Sequence, residues 1–337
     1  MERILIIGGA GFIGSAIARQ LAKLNYDITI FDSLDPEVHP DGKPPTHFTS
    51  KMQFIKGDVC DYNHLLRVIK DKSIVIYLAS QGNRYRGTGF RQMINKNCSG
   101  IANLLDIFAY SEHCCSQFVF GSSILCALEW NSNELIKQPP DKYLSFYAPH
   151  NAFYSSLKIK ETLVMDFSNS FKFPVLILRY GSVFGPHQNL SNNAIGIFSS
   201  FLMKDQPPLI YDNDIQKRDF IFIDDAVNQT ISALHAHTTG LSVTPILGGN
   251  CFSMRTIACK LAQALGKDIE PYITEKLRPH DLPCIEWKKI YKEYGIRKKN
   301  PARIDKYLKK FAEWALSQEA HTQYLLAIEL LTSRKIL

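Results

Sequence analysis

Tyr154 and Lys158 stand four residues apart in the stretch "AFYSSLKIKE" (152–161), which lacks Pro and Gly and reads as helix. That spacing sets a phenol and an ammonium on one helix face, one turn from each other. Many such pairs lie on wet helix surfaces, so the pair takes its meaning from the rest of the chain. A second constellation is Gly8, Gly11 and Gly14, at G-x-x-G-x-x-G spacing between the apolar run "RILII" and a helical pattern. Gly8 permits a tight turn, Gly11 lets backbone N–H groups approach a pyrophosphate, and Gly14 lets helix pack on strand. The start of the helix favours anionic phosphates. Asp32 closes the next apolar run, "DITIFDS". A carboxylate there accepts two ribose hydroxyls of an adenosine and repels a 2′-phosphate, which points to NAD rather than NADP.

The elements that must position these groups alternate between strand and helix. "MQFIKGDVCD" reads as a strand ending at Asp58 and Val59, an acid and an apolar neighbour placed to hold adenine. "SIVIYLASQG" is apolar throughout, as a strand buried in a parallel sheet must be, and it ends at Leu78, Ala79 and Ser80 on the carboxyl edge where ligands bind. "NCSGIANLLDIFAY" reads as helix, "SQFVFGSS" as strand, and "PVLILRYGSVFGP" as the sixth strand. The fold class expected is α/β, a Rossmann-type doubly wound parallel sheet.

Composition bounds the function. The chain has 337 residues, 45% of them hydrophobic, enough for a large domain or two fused lobes. It contains no run of eighteen apolar residues, so no membrane span is expected. "MERILIIGGAGFIGS" lacks the longer apolar core and cleavage pattern of a secretory signal. The eight cysteines show no C-x-x-C or other metal spacing, and reduced thiols in the cytoplasm are the simplest account. The formal net charge of +7 is spread along the chain. Its densest cluster, Lys288 to Lys299, is mixed with Glu286 and Glu293 and reads as a solvated face rather than a nucleic-acid site. A mild positive surplus suits an anionic substrate.

In this order the motifs resemble the extended short-chain dehydrogenase/reductase family, within it the NAD-dependent nucleotide-sugar epimerases and dehydratases. The likeness covers about residues 2 to 314. It rests on "GGAGFIGS", Asp32, "GDVCD", "YLAS", Asn97 with "GIANLLD", "FVFGSS", "YSSLK" with Glu161, "LRYGSVFGPHQ", "KRDFIFIDDAV" and "RPHDL". The stretches "FDSLDPEVHPDGKPP" and "GPHQNLSNNAIGIFSSFLMKDQPPLIY" look most like the branch of dTDP-L-rhamnose 4-epimerases. The resemblance implies Tyr154 as general base, Lys158 as the cation that holds it and the nicotinamide ribose, and Ser123 as the third catalytic group. The physics agrees. Bringing a phenol from about 10 to about 7 takes roughly 4 kcal/mol, and an ammonium about 4 Å away supplies about that much at an effective dielectric near 20. Cofactor contacts are implied for Gly8, Gly11, Phe12, Ile13, Gly14, Asp32, Asp58, Val59, Leu78, Ala79, Ser80, Asn97, Tyr154 and Lys158. Arg218 and Arg278 match the family's diphosphate-gripping arginines.

This chain also departs from the family pattern. Ala127 and Leu128 stand where a Tyr and a Gly are frequent, and Ser182 replaces an Asn that borders the sugar. The acid pair that 4,6-dehydratases carry after the catalytic hydroxyl residue is Ile124 and Leu125 here, which cannot move protons. The expectation is therefore an epimerase acting at C4 of a UDP- or dTDP-hexose. The alternatives are a ketoreductase of the same family, which Asp32 disfavours, and a non-catalytic NAD-binding sensor. Residues 1–185 plus 219–247 are expected to form the NAD-binding domain. A smaller, discontinuous α/β substrate lobe is expected at 186–218 plus 248–337. The resemblance further implies a homodimer made by the helices near 98–111 and 153–170.

Overall fold

The computed structural model describes residues 2–36, 38–80, 90–111, 115–127, 152–191, 193–211, 214–236, 239–275 and 286–320, with the backbone alone at 90, 92, 96 and 152–154. Their contacts cluster into two compact units. The first unit holds the described residues up to Ala127, then 152–180 and Asp224–Ile246; the second holds Gly181–Ile223 and the described residues from Leu247 on. The sequence reading sets the changes of lobe at 185, 219 and 247.

The first unit is built on a seven-stranded, wholly parallel sheet. Its strands are β1 (Arg3–Ile7), β2 (Asp27–Asp32), β3 (Met52–Lys56), β4 (Ile74–Tyr77), β5 (Gln117–Ser123), β6 (Val175–Tyr180) and β10 (Leu241–Ile246). They lie in the order β10-β6-β5-β4-β1-β2-β3. The chain winds from β1 outward through β2 and β3, then returns to set β4 against the other edge of β1, with Ile4 paired to both Ile28 and Ile74. The order therefore reverses between β1 and β4, and a crevice opens there beyond the carboxyl ends of the strands. Ile4, Leu5, Ile6 and Ile7 are buried, as a central strand covered on both faces requires.

Helices α1 (Phe12–Lys23) and α2 (Tyr62–Ile69) follow β1 and β3. The next helix begins as α3 (Phe90–Ile94), widens into a π turn at Asn95–Ser99 and continues as α4 (Gly100–Tyr110). Helix α5 (Ala152–Phe171) precedes β6. Leu104, Phe108, Phe118, Val164, Phe167 and Val175 join α4, α5 and the sheet in one apolar cluster. Strand β3 ends at Lys56, short of the Asp58–Val59 end read from the sequence. Asp58 turns the chain instead, its carboxylate accepting from the Cys60 N–H at 2.9 Å.

The second unit contains β7 (Ser182–Phe184), β8 (Leu209–Ile210), β9 (Lys217–Phe222), β11 (Cys251–Ser253) and β12 (Tyr272–Ile273). Strand β9 runs parallel to β7 and antiparallel to β11, and β12 pairs with β8. Helices α6 (Ala194–Leu202), α8 (Met254–Ala264), α9 (Trp287–Glu293) and α10 (Arg303–Ala315) cover them, while α7 (Ile223–Ala236), which continues directly from β9, lies almost wholly in the first unit. Phe222 stacks on Tyr307 at 4.5 Å, and Phe184 packs on Phe311. Among the described residues no helix is long and apolar enough to cross a membrane.

Candidate active site

The glycine turn between β1 and α1 shows which of its glycines the fold itself demands. Gly8 has φ +77°, and a Cβ on it would lie 2.5 Å from the Ala79 nitrogen. A Cβ on Gly14 would lie 2.4 Å from the Gly8 carbonyl oxygen. Both contacts are with backbone, which cannot move aside. At Gly11 a Cβ would meet only the Gly8 oxygen, at 3.3 Å, so internal packing does not require glycine there. Close approach of a ligand from outside would require it. Helix α1 opens at Gly11 with neither a side-chain cap nor an acid in its first turn. Its orphan N–H groups and its positive end are thus left for an anion. The Phe12 and Ile13 backbones form that first turn.

Asp32 ends β2 as expected and also does something the sequence did not show. One carboxylate oxygen accepts from the Ala10 N–H and the other from the Leu34 N–H, both at 2.9 Å. Asp32 therefore braces the glycine turn. Each oxygen keeps a further lone pair, so ribose hydroxyls can still be accepted. The residues present fit a dinucleotide. Asp58 and Val59 stand beyond β3, and Asn103 Nδ2 donates to the Val59 and Cys60 carbonyls at 3.0 and 3.1 Å. The Val59 side chain lies against Gly100, where a Cβ would meet it at 2.3 Å.

The far side of the crevice is the end of β4. Leu78 donates its N–H to the Ile7 carbonyl, Ala79 lies against Gly8, and Ser80 follows. Ser80 Oγ lies 3.4 Å from Asn97 Oδ1, which joins two of the expected cofactor residues. Asn97 stands in the π turn and is fully buried, and its Nδ2 donates to Ser156 Oγ at 3.0 Å. A π turn inserted in an α-helix is frequent at functional sites. Here it aims Asn97 at α5. Lys160, one turn beyond Ser156, donates from Nζ to Ser80 Oγ at 3.1 Å. Burial lowers its pKa to about 8. Sequence reasoning missed Lys160, because a lysine between Ile159 and Glu161 reads as solvated; its spacing of four from Ser156 was the signal available.

Helix α5 presents three faces to three partners. Ser156 and Lys160 turn to β4 and the π turn. Leu157 and Glu161 are buried, and Glu161 pairs with Arg179 of β6, whose Nε donates at 3.1 and 3.2 Å and whose Nη2 donates at 2.5 Å. Ser122 of β5 donates to the same carboxylate. Lys158, on a third face, donates from Nζ to the Cys126 carbonyl, in the turn Ile124–Ala127 that follows β5. Ser123 precedes that turn, and its Oγ accepts from the Leu125 N–H at 3.3 Å. The structure thus brings Lys158 to the turn that Ser123 begins. The Tyr154 backbone lies in α5 one turn before Lys158, and its side chain lies outside the described residues.

In the second unit Ser182 opens β7 and pairs in register with Phe220. Arg218, on β9, is half-buried, and its Nη2 donates to Gln216 Oε1 at 3.2 Å. Its neighbour Asp219 is fully buried and accepts from the Gly248 N–H at 2.5 Å, the Gly249 N–H at 2.8 Å and the Tyr291 hydroxyl at 2.5 Å. Burial holds the Asp219 carboxyl above its ordinary pKa, against the pull of these donors. This lock fixes the strand that carries Arg218. Arg278 and Leu128 lie outside the described residues.

Known proteins resemble this chain in sequence and fold. The family model described as the NAD dependent epimerase/dehydratase family matches residues 4–244. The chain is 26% identical over 318 residues to dTDP-L-rhamnose 4-epimerase of Burkholderia thailandensis, covering 83% of this chain and 86% of that one. It is 24% identical over 344 residues to dTDP-D-glucose 4,6-dehydratase of Mus musculus, covering 95% and 92%. The structure of UDP-glucuronic acid 4-epimerase from Bacillus cereus, in complex with UDP-glucuronic acid and NAD, matches with a TM-score of 0.73 at 23% identity. It covers 93% of this chain and 98% of that one, and at that identity the likeness is one of fold.

Proposed function

The chain belongs to the NAD dependent epimerase/dehydratase family and takes that family's cofactor, NAD, and from this premise we propose that it is a nucleotide-sugar epimerase inverting C4 of a UDP- or dTDP-hexose through a 4-keto sugar. The observation that carries epimerisation over dehydration is the turn after β5. Dehydration needs an acid for the leaving hydroxyl and a base for the neighbouring carbon. Ser123 is followed by Ile124, which is buried, and then by Leu125, Cys126 and Ala127. None carries a carboxyl. Burial also raises the Cys126 thiol, which withholds a thiolate.

Gly8, Gly11, Phe12, Ile13 and Gly14 would hold the pyrophosphate, and Asp32 the adenosine ribose. Asp58 and Val59 would flank the adenine, while Leu78, Ala79, Ser80 and Asn97 would line the nicotinamide half. When bound, NAD supplies a hydride acceptor and donor with no net redox change. Tyr154 takes the proton of the C4 hydroxyl and returns it, Ser123 bridges phenol and sugar, and Lys158 holds the phenolate by its charge. Ser182 contacts the sugar, and Arg218 and Arg278 grip the diphosphate, so that the flat keto sugar turns on a fixed handle. The second copy in a homodimer would sit on α4 and α5. Tyr110 and Phe171, in edge contact with each other, are exposed there with Ile159 and Leu163, whereas Leu157, Val164 and Phe167 are buried within the chain.

The test is incubation of the purified protein with UDP- and dTDP-hexoses, with mass spectrometry of small molecules released on denaturation. Inversion at C4 with bound NAD and no net NADH is expected. A 4-keto-6-deoxy product makes it a dehydratase, and a 4-keto sugar formed together with an equal amount of reduced cofactor makes it a ketoreductase.

A further inference from the structure

Among the described residues, Lys160 is a buried cation that the mechanism above does not use. Lys160 is 1% exposed, and Ser80 Oγ is the one acceptor its Nζ meets among the described residues. Glu161, adjacent on the helix, is committed to Arg179 and Ser122. Lys158 turns away to the Cys126 carbonyl. Among the described residues, the titratable groups that act on Lys160 are the thiols of Cys98, in the π turn, and Cys126, after β5. Burial raises both thiols and so keeps them neutral. An ammonium enclosed by neutral groups is costly, and a methionine would fill the same space without that cost. What only the lysine provides is positive charge behind Ser80.

Ser80 is exposed, and it follows Ala79 on the β4 side of the crevice. Asp32 marks the adenosine end on the β2 side. A dinucleotide laid across Gly8–Gly14 from Asp32 therefore brings its nicotinamide half over β4. On the reading of that turn as an NAD site, we propose that Lys160 is a positioning residue for the nicotinamide half. It orients the Ser80 hydroxyl toward Asn97 and holds a positive charge that favours the uncharged, reduced ring over the cationic, oxidised one. The charge fades as pH rises through about 8.

The experiment is calorimetric titration of NADH and of NAD into the nucleotide-stripped full chain between pH 6.5 and 9.5, for the wild type and Lys160→Met. The expected effect is a shift of about tenfold in the ratio of the two dissociation constants, the order of magnitude for one partly screened unit charge near the ring. The wild type is expected to prefer NADH more strongly at pH 7 than at pH 9.5, with the change centred near the Lys160 pKa of about 8. Lys160→Met should show the weaker preference at pH 7 and lack the part of the change centred near 8. A flat wild-type ratio, or a variant that keeps the wild-type profile, overturns the role of Lys160 while leaving the cofactor site intact. If neither nucleotide binds the wild type, the cofactor reading itself fails. Should Lys160→Met not fold, Lys160→Gln takes its place, and the difference from the wild type decides, because titrations the two proteins share, that of Tyr154 among them, cancel in it.

Discussion

Lys160→Met should make the protein more stable at neutral pH, and the gain should shrink in alkali. In the folded chain the Lys160 pKa falls from 10.5 to about 8, with burial the largest cause. The folded pKa is the depressed one, so between about 8 and 10.5 the unfolded chain binds more protons and stability rises with pH. Below that window both states are charged and the penalty is complete. Linkage puts it at about 3 kcal/mol at pH 7 and about 1 kcal/mol at pH 9.5. Against this, methionine loses the bond to Ser80, worth about 1 kcal/mol in general but less here, since Ser80 is exposed and water replaces the donor. The net expectation is a gain of about 2–3 kcal/mol at pH 7 that falls by about 2 kcal/mol at pH 9.5. Urea unfolding followed by circular dichroism, for both proteins at both pH values, measures it. The difference between the two proteins cancels every titration they share. A variant less stable than the wild type at pH 7, or a gain equal at the two pH values, would refute the claim that Lys160 is a buried charge with no acidic partner among the described residues.

Gly11→Ala should leave stability within about 1 kcal/mol and weaken NAD at least about tenfold, whereas Gly14→Ala, which drives a Cβ into the Gly8 carbonyl, should cost about 1–3 kcal/mol of stability; urea unfolding and nucleotide titration separate the two effects. Glu161→Gln leaves the largely buried Arg179 beside a neutral amide and should destabilise by about 3 kcal/mol, read from the denaturation midpoint. Tyr291→Phe removes one of three donors to the buried Asp219 and should cost about 1.5–3 kcal/mol, with the Asp219 pKa rising further, as carboxyl-labelled NMR would show. Tyr154→Phe should cut epimerase turnover at least about 100-fold while NAD affinity survives; a confirmed activity left unchanged would remove Tyr154 as the base.

The sequence alone determined the cofactor half of this protein, because that half is written locally. Strand, glycine turn, helix and the acid ending the next strand fall within Arg3 to Asp32, and each rule involved acts between near neighbours. The apolar runs of β1, β4, β5 and β6 announced a parallel sheet, since strands covered on both faces must be apolar throughout. Tertiary structure decided what contacts between distant residues decide. The apolar character of β9 did not say which sheet would take it, and pairing with β7 and β11 placed it in the second unit. The spacing of Tyr154 and Lys158 showed that they share a face, but not where that face points. One residue along a helix turns a side chain by about 100°. Only the packing of α5 reveals that Lys158 reaches Cys126 while Lys160, two residues on, reaches Ser80, eighty positions earlier in the chain. A lysine's burial is a property of the folded chain, and here Lys160 joins a hydrogen-bonded group drawn from the segment after β4, the π turn and α5.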